Sequence, residues 1–367
     1  MITAAVWQGV ESLLDRYARV RAGDAVLMLY TSDSYECAAW LSAALELRGV
    51  AATRVWMAPL QDEELLARLT HALPAPGSVS GRLIVLSLER DTMSHEGTLA
   101  RALQHFDPQR CEIFRAISAS PELFAGPLRV SPDELSARNA ALLHRCMRAE
   151  RLRIATAGGT DLQVRIDSKR HRWISNRGTA RAGGIVVLPA GEVATFPAAI
   201  DGIFVADCAF NVNRFTELDA RLQAHPVHLR IEGGCATRYE CACPDVRTFL
   251  DACFAQPNAH RVGELGFGTN GGSVEAVAMN SHINERRPGI HLGFGQHNQP
   301  LCVVPYECSI HIDLIAKGAK IWVDDDPLPL DLEALTPSSE PHPAGLRDED
   351  VFSPVAGHFE TEACCGF

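Results

Sequence analysis

Apolar positions change their period near residue 150. Residues 3–20 repeat apolar side chains at helical spacing, with Glu11 and Asp15 between them. That pattern predicts an amphipathic helix and not a signal peptide. Ala25–Tyr30 (AVLMLY) is an unbroken apolar run of the kind that fills a strand buried on both faces. Helical spacing returns over Tyr35–Gly49. Further strands are predicted at Ala52–Met57, Arg82–Leu88 and Cys111–Ile117, and further helices at Gln61–Leu73 and Gly97–His105. Pro74–Gly81 reads as a loop. Ser131 and Glu134 have capping-box spacing at the head of a helix running to about Arg151. Strands alternating with helices predict a parallel sheet covered on both faces.

Beyond residue 151 the predicted elements are short, β-rich and separated by glycine. They are Ile154–Ala157, Asp161–Ile166, Ile185–Leu188, Gly202–Ala206, His228–Glu232 and His291–Phe294. Ser309–Ala316 and Lys320–Asp324 read as a hairpin turned at Lys317-Gly318. Helices are expected only at Asp245–Phe254 and Ser273–Met279. The expected organisation is an α/β domain over 1–150, a β-rich α+β metal-binding domain over 151–334, and a poorly ordered tail over 335–367 rich in Pro, Ser, Glu and Asp.

Composition narrows the function. The 367 residues carry 34 basic and 45 acidic side chains, a net charge of −11, which argues against nucleic acid as a partner. No window of 18 apolar residues is present, so no membrane-spanning helix is expected. Twelve cysteines spread over a chain of this length, without an export signal, point to reduced thiols and a cytoplasmic protein. Cys235, Cys241 and Cys243 lack the paired spacing of a structural zinc site. Cys364-Cys365 lies in the polar tail.

Potential metal ligands concentrate in the second half, each beside a glycine or on a predicted strand. Glu192 lies in PAGEVATFPA, Glu264 in VGELGFGTN, His291 in PGIHLGFGQ, and His311 and Asp313 in SIHIDLI. Residues two apart on a strand share a face, so His311 and Asp313 project together while Ile310, Ile312 and Leu314 face a core. Two histidines and three carboxylates form a nitrogen/oxygen donor set suited to Zn, Mn, Co or Fe(II). Each residue alone also fits an ordinary turn carboxylate or hydrogen-bonded histidine.

GTDLQVRI (159–166), LPAGEVATFPA (188–198), VGELGFGTN (262–270), GIHLGFG (289–295) and SIHIDLIAKGAKIWVDD (309–325) occur in this order. Taken together they resemble the successive motifs of the thermophilic-type metallo-aminopeptidases, the aminopeptidase T/aminopeptidase S family, over about residues 150–325. The resemblance implies a homodimeric exopeptidase holding two divalent ions (Zn, Co or Mn). Glu192, Glu264, His291, His311 and Asp313 would be its metal ligands, and a small peptide or peptide-like molecule its substrate. Two such ions can bridge a water, lower its pKa and polarise a carbonyl. Glu264 or Glu192 would take the water's proton.

One position departs from that pattern. The family has a tyrosine seven residues after its G-T-x-H histidine, where this chain has Asn298. Loss of an oxyanion donor costs on the order of 100–1000-fold in rate, so Asn298 or His297 would have to donate instead. The 2,5-dihydroxypyridine ring-cleaving dioxygenases look similar over the same segments. They imply one Fe(II) held by two histidines and an aspartate. The H-x-D pair is common to both groups, whereas one dioxygenase histidine falls at Glu264. A hydrolase, a non-haem Fe(II) dioxygenase and a metal-retaining scaffold that has lost catalysis all remain open. Four other features have structural explanations available: the G-x-G-x-x-G string at Gly266–Gly271, Asp324–Asp326, His171–Trp173, and Ser94–Glu96.

Overall fold

The computed structural model describes residues 2–59, 61–75, 77–89, 95–181, 183–343 and 351–352. It divides into two compact units, Met1–Pro132 with Gly178–Ala190, and Asp133–Arg177 with Gly191–Phe367.

The first unit opens with α1 (Ala4–Ser12), which continues through a π-helical turn, Leu13–Tyr17. Its four leading strands are β1 (Ala25–Tyr30), β2 (Ala51–Trp56), β3 (Leu83–Glu89) and β4 (Cys111–Ile117), interleaved with α2 (Tyr35–Leu47), α3 (Leu65–Ala72) and α4 (Glu96–Leu103). Leu27, Leu29, Val55 and Val85 pack with Leu65, Leu69 and Leu99 in one cluster. Val26, Met28, Ile84 and Leu86 are buried as well, which is why β1 and β3 read as continuous apolar runs. After α5 (Pro121–Ala125) the chain leaves for the second unit, forming α6 (Pro132–Cys146), β5 (Arg151–Ala155), β6 (Asp161–Arg165) and β7 (Trp173–Asn176). It then returns as β8 (Ile185–Leu188), which pairs parallel to β4 and completes a sheet of order β2-β1-β3-β4-β8. The sequence pattern groups Ile185–Leu188 with the β-rich half. The pairing assigns it to the parallel sheet instead.

The second unit continues with β9 (Glu192–Thr195), β10 (Ala199–Ala206), β11 (Ala209–Val212), β12 (Val227–Glu232) and β13 (Cys235–Glu240). Next come α7 (Pro244–Phe254), β14 (Val262–Gly268), α8 (His282–Arg286), β15 (Gly289–Gly295), β16 (His311–Lys317) and β17 (Lys320–Val323), then the short β18 (Leu330–Asp331) and β19 (Val351–Phe352). They build two seven-stranded sheets, of order β13-β12-β10-β6-β5-β17-β18 and β11-β16-β15-β14-β9-β7-β19. Ile154, Leu162 and Phe204 from the first share one core cluster with Leu265, Leu292 and Leu314 from the second. Burying each such side chain contributes about 1.5–3 kcal/mol. The architecture is thus an α/β unit plus a β-rich unit, as the alternation of periods predicts.

Three local expectations are corrected. β16 and β17 are not a hairpin: β16 pairs with β15 and β11, β17 with β5 and β18, so the chain changes sheets at Gly318 (φ +52°). Ser273–Met279 is not helical. The Asn284 side chain bonds the backbone of Val277 and Met279, satisfying groups that a helix would otherwise pair. Residues 335–343 are also tied down, because Ser338 N donates to Ala137 O at 2.9 Å and His144 Nε2 lies 2.8 Å from Pro341 O. Cys364-Cys365 lies outside the described residues. The ten cysteines within them are free thiols.

Candidate metal centre

The inner strands of the site sheet carry every predicted ligand on one face. Ile312 and Leu314 of β16 enter the core, so His311 and Asp313 project from the other side. On β15, Ile290, Leu292 and Phe294 enter the same core, leaving His291, Gly293 and Gly295 on the site face. On β9, Val193 faces the core and Glu192 does not. β14 needs a correction of phase, because Val262 and Leu265 both enter the core although they are three apart. A bulge supplies it. The register shifts between Val262 and Glu264, Gly263 is the extra residue, and Glu264 is turned onto the site face opposite Gly293.

Glycines keep that face open. A Cβ on Gly266 would lie 1.9 Å from His291 Nε2. A Cβ on Gly293 would lie 2.9 Å from both Glu264 Cβ and His311 Cε1, and 3.0 Å from Asp313 Oδ1. The G-x-G-x-x-G string is therefore the end of β14 and the turn after it, and its first glycine makes room for an imidazole.

The five side chains form two overlapping clusters, Glu192–Glu264–His291 and Glu264–His311–Asp313. In each, one donor atom per residue lies within 4.8 Å of the others. His291 Nε2 is 3.0 Å from Glu192 Oε1 and 3.4 Å from Glu264 Oε1, and His311 Nε2 is 3.1 Å from Asp313 Oδ1. His311 is the most open of these side chains at 24% exposure, and its Nδ1 lies 3.0 Å from Gln296 O.

A further layer was not marked in the sequence. Arg286, on the short helix α8, reaches Glu192 Oε2 at 2.7 Å and Glu285 Oε1 at 2.5 Å with the same Nη1. Asn211 Nδ2 donates to Glu285 Oε2 at 2.8 Å. The only hint of this layer was an Asn-Glu-Arg run just before the His291 strand.

The charge balance favours cations. Glu192, Glu264, Glu285 and Asp313 are buried carboxylates, and the buried guanidinium of Arg286 pairs with two of them, Glu192 and Glu285. Burial raises Asp313 to about 7, with Glu285 adding to the rise. Burial opposes a charged imidazole at His291, but Glu192 and Glu264 raise its pKa well above the ordinary histidine value. Burial likewise pushes Glu192 up, yet Arg286 and His291 bring it below the usual carboxylate range. The short gaps between imidazole nitrogen and carboxylate oxygen, 3.0 Å at His291–Glu192 and 3.1 Å at His311–Asp313, are ones that a proton or a divalent cation can fill. The donor set and the glycine-cleared face fit such an ion.

Asn298 Nδ2 donates to Glu264 Oε2 at 3.0 Å, and its Oδ1 accepts from Gln299 Nε2 at 2.6 Å. His297 has both ring nitrogens engaged, Nε2 at 2.8 Å from Tyr306 O and Nδ1 accepting from Gln299 N at 3.2 Å. The geometry gives Asn298 the task of orienting Glu264.

A family model described as 2,5-dihydroxypyridine 5,6-dioxygenase (NicX) matches residues 15–288. The chain belongs to that family. The family is one of enzymes, and its name is that of the dioxygenases whose motifs the sequence also resembles. The 2,5-dihydroxypyridine dioxygenase from Pseudomonas putida KT2440 is similar in structure, with a TM-score of 0.59 at 15% identity over 90% of this chain and 96% of that one. Wild-type AmpT from Thermus thermophilus is similar with a TM-score of 0.54 at 16% identity, over 89% of this chain and 97% of that one. At such identity both likenesses are likenesses of fold. No curated protein matches the chain.

The remaining motifs have structural tasks. Asp324 Oδ1 accepts from the backbone of Glu150 and Arg151, at 3.0 and 2.8 Å, and Asp326 pairs with Arg145. Trp173 is fully buried in the core. His95 Nε2 lies 2.7 Å from Ala58 O, and Ser94 is outside the described residues. Among the described residues no helix is long and apolar enough to cross a membrane.

Proposed function

We propose that the protein is a metal-dependent hydrolase that cleaves an amide of a small peptide or peptide-like molecule at a carboxylate-bridged two-metal centre. The observation that carries this reading is the membership of Glu264 in both ligand clusters. Divalent ions held by Glu192, Glu264, His291, His311 and Asp313 would supply an activated water and a polarised carbonyl.

The chain's own groups divide the remaining work. Glu192 has Oε1 toward His291 and Oε2 against Arg286, so the guanidinium disfavours a proton there. Glu264 is the carboxylate common to both clusters and would bridge the two ions. Asn298 restrains it through a single amide donor. Arg286 and Asn211 fix Glu285 from both sides.

Family membership favours a second reading, a mononuclear Fe(II) dioxygenase acting on a hydroxylated ring. His291, His311 and Asp313 would then be the two-histidine, one-carboxylate set. Parallel assays separate the two. Release of amine from amino-acid amides and short peptides, abolished by His311→Ala, supports the hydrolase. Oxygen uptake with 2,5-dihydroxypyridine by iron-loaded protein, without amide cleavage, supports the dioxygenase.

A further inference from the structure

The two ligand clusters offer the same donors. Each has two carboxylates and one imidazole, and Glu264 is common to both. Donor chemistry alone therefore predicts two ions of similar affinity. Their surroundings differ. Glu192, in one cluster, is salt-bridged through Oε2 to Arg286, whose side chain is only 2% exposed. A buried guanidinium is a fixed positive charge that no solvent screens, and it repels a cation arriving at the carboxylate it holds. It also occupies the second oxygen of Glu192, leaving Oε1 for an ion. Asp313, in the other cluster, is paired with His311 and with no guanidinium among the described residues. Glu285, which meets the same Arg286 Nη1, offsets only part of the charge that Glu192 faces.

We propose that Arg286 makes the two places unequal, so that the Glu264–His311–Asp313 place fills first and tightly and the Glu192–Glu264–His291 place fills second and weakly. The inference rests on the two-metal reading and deepens it. The protein would pass through a one-ion state over a wide range of metal concentration. In that state only the outer place, beside the more exposed His311, is loaded. Arg286 acts here as a positioning residue, because it meets an ion through Glu192.

The test is a titration of chelator-treated full-length protein with Zn²⁺, and again with Mn²⁺, followed by calorimetry and by ion counting after dialysis. Wild type should take up two ions in steps at least about tenfold apart. His291→Ala should delete the weak step and His311→Ala the tight one. Arg286→Met should tighten the weak step by tenfold or more and leave the tight step within about threefold, while Arg286→Lys should keep the gap. Two equal steps in wild type, or loss of the weak step in His311→Ala, would overturn the inference while sparing the two-metal reading. These readouts hold even if Arg286→Met fails to fold. One ion in both wild type and Arg286→Met would sink the two-metal reading and the inference with it.

Discussion

Gly266 and His291 face each other across β14 and β15, and a methyl group on the glycine would lie 1.9 Å from the imidazole Nε2. Gly266 has ordinary strand conformation, so alanine is tolerated by the backbone and the clash falls on the ligand alone. Gly266→Ala should weaken binding of the ion held by His291 by at least about tenfold, the scale of losses seen when a ligand's support is disturbed. Thermal unfolding should move by only a few degrees. An unchanged metal titration would remove His291 from the centre.

Asn298 tests how Glu264 is oriented. Asn298→Ala removes the donor 3.0 Å from Glu264 Oε2 and should lower kcat by about 10–100-fold with the fold intact. Asn298→Asp sets a carboxylate against a carboxylate and should cost more. If the amide instead acted on substrate directly, Asn298→Asp and Asn298→Ala would be equally impaired and metal affinity would not change in either.

Asn139 tests the support beneath Glu192. Its buried Nδ2 lies 3.0 Å from Glu192 O, 3.0 Å from Ser175 Oγ and 3.3 Å from Asn176 O, and its Oδ1 accepts from Thr269 Oγ1 at 2.5 Å. Asn139→Leu leaves several buried polar groups unmatched, each worth about 1–3 kcal/mol. A fall in stability of at least about 2 kcal/mol in urea unfolding is expected. A change under 0.5 kcal/mol, the ordinary range for surface positions, would show that the network is dispensable.

His342 adds a pH dependence. Burial lowers its pKa to about 3, aided by Arg177 and His144, and its Nε2 lies 2.8 Å from Ser175 Oγ. The folded state holds the neutral ring, whereas the unfolded chain takes up a proton near pH 6.5. Its contribution to stability is therefore complete above about pH 6.5 and is lost as pH falls from there toward 3. Between pH 8 and 5, wild type should lose stability more steeply than His342→Gln. Parallel curves for the two proteins would remove His342 as the cause.

Much of this was legible in the chain, for reasons visible at particular residues. Ala25–Tyr30 coincides with its strand because a buried parallel strand is an uninterrupted apolar run, and Cys111–Ile117 coincides with its strand although Glu112 and Arg115 interrupt the run. His311 and Asp313 were legible as a pair because strand alternation is local. Strand β14 was not, since its glycines and Glu264 break the apolar pattern and its bulge shifts the phase. The β16–β17 hairpin failed because adjacency in sequence cannot tell which sheet each strand joins. Arg286 and Asn211 escaped notice because their importance lies in partners 94 residues away at Glu192 and 74 residues away at Glu285.

A carboxylate-bridged centre with room for two ions has one immediate consequence, the number of metal ions each chain holds. Protein purified without oxygen, loaded with excess Zn²⁺ or Mn²⁺ and dialysed against the same ion at moderate concentration, should hold about two ions per chain. Glu264→Ala, which removes the carboxylate common to both clusters, should hold none. A single tightly held iron per chain, with no second ion taken up at any concentration, would contradict the account and favour the dioxygenase.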